Sequence, residues 1–138
     1  MKTSIEHPYT PVSLTADTAE AFALAPLAAQ LTSDKAYREH GRAGLTLVRG
    51  EALTLVLTAV QAGKISDVLT TEGPTALMVL SGALTICLEE SAESIHLDSG
   101  TVVTLAPQVC HTVEASDESV FLTVIGEQPD LKTAAGAA

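Results

Sequence analysis

Residues 52–60 read ALTLVLTAV, a strict alternation that fixes the character of the chain. Successive side chains of an extended backbone point to opposite sides, so Leu53, Leu55 and Leu57 share one face while Thr54, Val56 and Thr58 share the other. Working outward, the same period of two runs through LTLVR (45–49), SDVLT (66–70), TALMVL (75–80) and ALTICLE (83–89). It continues through ESIHL (93–97), TVVTLA (101–106), HTVEA (111–115) and SVFLTVI (119–125). Turn-forming residues punctuate these runs: Arg49-Gly50, Ala62-Gly63, Glu72-Gly73-Pro74, Ser81-Gly82, Ser99-Gly100, Ala106-Pro107 and Ser116-Asp117. Eight or nine short strands at such spacing predict a closed barrel or a sandwich. No helical pattern falls between them, which excludes a parallel α/β sheet.

Four regions follow. Residues 1–16, with Pro8 and Pro11, form an extended arm; 17–43 hold a short helix and a connection; 44–126 are the barrel; 127–138 are a loose tail. Asp17 stands three residues before Glu20, a pairing that caps a helix start. AFALAPLAAQL (21–31) then supplies a stripe of Phe22, Leu24, Leu27 and Leu31, with Pro26 expected to kink or split the helix before its end near Gln30 or Leu31.

With 138 residues and 46% apolar content, the chain is one ordered domain. Seven Lys and Arg against 17 Asp and Glu leave a net charge of -10, the wrong sign for nucleic acid or an anionic membrane. No stretch approaches a membrane span and the opening lacks a secretory pattern, so a cytoplasmic location is expected. Cys87 and Cys110 are expected to be buried, reduced thiols.

Alternation also assigns sides. Glu114 needs water, so Val113, Ala115 and His111 face inward while Cys110 and Thr112 face out. In ALTICLE, Leu84, Ile86 and Leu88 oppose Thr85, Cys87 and Glu89, which puts Cys87 outside. Strand neighbours cannot share a pocket, so Cys110 and His111 do not form a nucleophile dyad. His96 and Asp98 lie on a solvated face.

The stretches AGKISDVLTTEGPTALMVLSG (62–82) and LDSGTVVTLAPQVCHTVEA (97–115) resemble the two motifs of the cupin superfamily, in the small single-domain, RmlC-like form. The first motif runs glycine, five residues, His-x-His, a short gap, Glu, six residues, glycine. Gly63 and Gly82 hold its outer positions at the correct spacing. Leu69 and Thr71 stand where the paired histidines would be, and Thr75 where the glutamate would be. In the second motif Gly100, Pro107 and His111 keep their places, His111 in that of the metal-binding histidine. The resemblance covers residues 44–126 and implies an all-β fold: a cupin-type jelly-roll β-barrel with a short N-terminal helix.

The resemblance also implies a metal site of three histidines and a glutamate, and this chain offers one of the four. One imidazole does not hold a transition ion, so no metal and no cofactor is expected. The weak metal candidates are His111 with Asp67, which shares the face of Leu69 and Thr71 if that strand is regular. The expected cavity is lined by Leu69, Thr71, Thr75, Leu77, Val79, His111 and Val113, mostly apolar with two hydroxyls, which suits a small, weakly polar ligand. His111 is the candidate catalytic residue, as a general base or a hydrogen-bond donor. A neutral, hydrogen-bonded histidine in the barrel mouth is the plainer alternative.

Between Ile65 and Leu131 there is no Lys or Arg, although eleven of the 17 carboxylates lie there. The later strands therefore bring no cation to a phosphate or carboxylate ligand. Arg38, Arg42, Arg49 and Lys64 remain, either as surface charges or as a clamp, by Arg42 or Arg49, on an organic acid at the mouth. Val56, Val60, Met78, Leu80 and the helix leucines exceed what one barrel interior takes, so a homodimer is expected. Two functions follow: a metal-independent, non-catalytic dimer that binds a small molecule, or a metal-dependent enzyme of the dioxygenase, isomerase or lyase type rearranged around His111.

Overall fold

The computed structural model describes residues 19–127. Two helices, α1 (Leu24–Thr32) and α2 (Lys35–His40), precede eight strands. These are β1 (Arg42–Arg49), β2 (Leu53–Val60), β3 (Thr75–Ser81), β4 (Ala83–Leu88), β5 (Ser94–Asp98), β6 (Val102–Leu105), β7 (His111–Ala115) and β8 (Ser119–Gly126). They form a five-stranded sheet in the order β1-β2-β8-β3-β6 and a three-stranded sheet in the order β5-β4-β7. Every pairing is antiparallel. Gly82, at φ 90°, makes the tight passage from β3 to β4, where a Cβ would collide with the Glu118 carbonyl and the Ser119 hydroxyl. Only glycine fits that turn without strain.

Two apolar clusters hold the layers together. Between the sheets lie Val60, Leu77, Val79, Leu84, Ile86, Leu97, Val113, Ala115 and Phe121. On the outer face of the five-stranded sheet, Leu47, Val48, Leu57 and Ala59 pack against Leu31 and Tyr37 of the helices. The helices therefore make a third layer. Cross-strand register settles the faces, because directly opposed residues share a side. Thr58 opposes Phe121 and Thr75 opposes Ile125, so the threonine face of β2 turns inward and its leucine face turns toward the helices. Val60 and Val56 are inner residues, while Leu80 joins the helix-covered cluster.

Several expectations need correction. The helix starts at Leu24, with Ala23 at its N-cap and no side-chain cap, so Glu20 precedes it; Asp17 lies outside the described residues. Pro26 then occupies the third helical position, where amides have no intrahelical acceptor, and it neither kinks nor splits the helix. A second helix follows at once, capped by Asp34, whose carboxylate accepts from the Ala36 N–H at 3.1 Å. Six residues carry too little periodicity to announce it. The first strand begins at Arg42, two residues before the expected barrel boundary. SDVLT is no regular strand: only Ile65 and Leu69 bridge to β7, opposite Glu114 and His111. Cys87 and Cys110 are free thiols, but Cys110 is exposed and Cys87 half-buried, since both sit on outward positions. The expected arm and most of the tail lie outside the described residues. Among those residues no helix is long and apolar enough to cross a membrane.

Candidate functional site at the barrel mouth

His111 opens β7 and is 4% exposed. Its backbone exchanges both hydrogen bonds with Leu69: Leu69 N–H donates to the His111 carbonyl at 2.7 Å, and His111 N–H to the Leu69 carbonyl at 2.9 Å. Such a pair aims both side chains to one side. On β4, Leu88 stands opposite His111. The ring Nδ1–H donates to the Val109 carbonyl at 3.1 Å, which fixes the orientation of the imidazole. No fully buried side-chain nitrogen or oxygen among the described residues lacks a partner. Among the described residues Nε2 has no hydrogen-bond partner.

The hydroxyls sit on the opposite wall. Thr75 begins β3, is 4% exposed and faces inward beside Ile125 and Leu105. Thr71 and Thr75 share a hydrogen bond of 2.6 Å between their hydroxyls, and the Thr71 O–H has the Gly73 carbonyl as a second acceptor at 3.1 Å. The Thr71 carbonyl accepts from Gln108 N–H at 2.7 Å, tying this corner to the loop that leads into His111. Leu77, Val79 and Val113 belong to the packed cluster between the sheets and form a floor rather than an open wall. Leu69 is 41% exposed, at the rim.

The positions that would hold a family metal thus carry Leu69, Thr71, Thr75 and His111. Leucine has no lone pair, and the two threonines spend their hydroxyls on each other and on Gly73. These residues do not fit a transition ion. Asp67 does not rescue the set. From Ile65 to Leu69 the chain advances four residues while β7 advances three, from Glu114 back to His111, so one extra residue is inserted. The regular strand on which Asp67 would share Leu69's face does not exist, and Asp67 is exposed. The Ser66 hydroxyl occupies the insertion, accepting from Val113 N–H at 2.9 Å. Among the described residues no three His, Cys, Asp or Glu side chains converge.

Sequence reasoning missed the inner residues of β1, β2 and β8. Register turns Thr46, Thr54, Thr58 and Thr123 toward the interior, each half-buried. The alternation of 52–60 separated the two faces but could not say which one the helices would cover. Arg49 opposes Thr54 at the mouth end of β1, whereas Arg42 lies at the other end of the same strand, opposite Val60. The two arginines cannot serve one ligand at the mouth.

Solved structures agree with this architecture. A conserved protein of unknown function from Streptococcus pyogenes aligns over 90% of this chain and 99% of its own, with TM-score 0.63 and 16% identity. A cupin superfamily protein from Desulfitobacterium hafniense aligns over 86% and 99%, with TM-score 0.64 and 15% identity. A mutant salicylate 1,2-dioxygenase from Pseudoaminobacter salicylatoxidans matches 78% of this chain but 34% of its own, with TM-score 0.64 and 16% identity. No protein-family model and no curated protein matches the sequence. The chain has the cupin fold, built as a single small barrel with a helical layer on one side.

Proposed function

We propose that this protein binds a small, weakly polar molecule in the barrel mouth, without a metal and without catalysing a reaction, and that it does so as a homodimer in the cytoplasm. The observation that carries the reading is the hydroxyl pair of Thr71 and Thr75, closed on itself where chelating side chains would be needed. The ligand space runs from the rim at Leu69 past His111 Nε2 to the apolar floor of Leu77, Val79 and Val113. The His111 imidazole and a few hydroxyls orient such a ligand, while hydrocarbon supplies the affinity. Support for a dimer comes from the part of the outer sheet face that the helices leave uncovered, where Met78 opposes Val102 and Val102 is 53% exposed.

Native mass spectrometry of the purified full-length chain tests this. The expected species is a dimer carrying a non-covalent small molecule, whose occupancy falls when His111 is replaced by alanine. A bare monomer overturns the reading. A stoichiometric metal increment replaces it with the metal-dependent enzyme rearranged around His111.

A further inference from the structure

At the far end of β7 the chain builds a second concavity of opposite character. Helix α2 ends in Gly41, whose left-handed conformation (φ 79°) lets its N–H donate to the Tyr37 carbonyl at 2.8 Å and turns the chain directly into β1. His40 and Arg42 are thereby set on either side of one turn. Lys64 arrives from the connection after β2, held by two backbone bonds. Gln61 N–H donates to the Gly41 carbonyl at 2.8 Å, and Ala115 N–H donates to the Lys64 carbonyl at 2.9 Å. The methylene stem of Lys64 lies over Gly41, where any Cβ would collide with it. The result is a pocket of about 310 Å³ lined by His40, Arg42, Lys64 and Ile65. It spans the gap between the β1 edge of one sheet and the Ile65 bridge to the other.

Charge makes this pocket unusual for the molecule. The described residues hold five Lys and Arg (Lys35, Arg38, Arg42, Arg49 and Lys64), and two of them meet here with an imidazole. Among the described residues the ion pairs are Lys35 with Glu39 and His96 with Asp98, and neither Arg42 nor Lys64 pairs with a described carboxylate. Glu114 stands opposite Ile65 in the ladder yet pairs with neither cation. Two cations line one hollow of an acidic protein, and no carboxylate among the described residues lines it with them, an arrangement that favours an anionic ligand.

We infer that this pocket binds a small oxyanion, the carboxylate or phosphate group of a metabolite. The Arg42 guanidinium presents a planar fork, the Lys64 ammonium a point charge, and the His40 ring a further donor. The volume lies at the small end of ligand pockets, which run from about 300 to 1,000 Å³. The site is separate from the mouth: His111 is four strand residues from Ala115, about 13 Å at 3.3 Å per residue. It does not rest on the proposal for the barrel.

Amide NMR titrations of the full chain with inorganic phosphate and with malonate, against sodium chloride at matched ionic strength, test it. Saturable shifts are expected at Gly41, Arg42, Lys64 and Ile65, with His111 and Leu69 unmoved. The Arg42→Gln/Lys64→Gln double variant alters two exposed side chains, so it should keep the native melting temperature while weakening binding at least about tenfold. Response to phosphate alone identifies a phosphoryl group, and response to malonate alone a carboxylate. No saturable shift with either anion, or equal affinity in the double variant, overturns the inference.

Discussion

Along β2 the two faces of one strand do different work. Leu55, Leu57 and Ala59 press against the helical layer and, at the strand's centre, are sealed from water. Thr54, Val56 and Thr58 look into the barrel and stay half-buried. The tighter packing on this side of the molecule thus lies outside the barrel, under α1 and α2. The interior near β1 and β2 is left with hydroxyls and accessible space. A barrel filled by leucines would have no room for a ligand, whereas one stabilised from outside can keep its mouth open. The helical layer is therefore part of how the proposed site would form.

The largest effect that sharpens this contrast is at Leu57, which is fully buried on the helix side. Leu57→Ala should lower unfolding free energy by about 2–5 kcal/mol in urea titrations. A loss below about 1 kcal/mol would mean that the helices are loosely docked. Next is Tyr37, the anchor of α2, whose hydroxyl donates to the Glu118 carboxylate. Burial, then that bond and the carboxylate's charge, push its phenol up to about 12 from an ordinary 10.0. The folded state thus holds the proton more tightly than the unfolded one. Stability from this group is intact below about pH 10 and is lost as pH rises toward 12. Tyr37→Phe should remove that alkaline component, read as the difference between the two stability–pH curves. The smallest effect belongs to the inner face: Thr58→Val should change stability by no more than about 0.5 kcal/mol.

Much of the fold was legible because period-two alternation and glycine or proline punctuation are local signals. The strands from Leu53 to Ile125 were all marked by them, apart from residues 66–70, where the inserted residue beside Ser66 breaks the alternation without any change of composition. His111 inside and Cys110 outside followed from the hydration needs of Glu114, and the burial of each agrees. What stayed hidden depends on distant chain segments. Which face of β2 a helix covers is decided by docking of α1 and α2, not by β2 itself. The meeting of His40, Arg42 and Lys64 needs a left-handed Gly41 and a sheet crossing that no spacing encodes. The separation of Arg42 from Arg49 is simple in hindsight, since a strand of eight residues sets its ends far apart.

The central claim is that Leu69, Thr71, Thr75 and His111, the positions matched to the cupin metal ligands, lack the donors for a transition ion. Calorimetric titration with Zn²⁺ and Mn²⁺ addresses it, using the native chain beside a Leu69→His/Thr71→His/Thr75→Glu variant. The native chain should take up no stoichiometric ion, and the variant, with His111 as its fourth donor, should bind one. One tightly held ion in the native chain, lost on His111→Ala, would contradict the account.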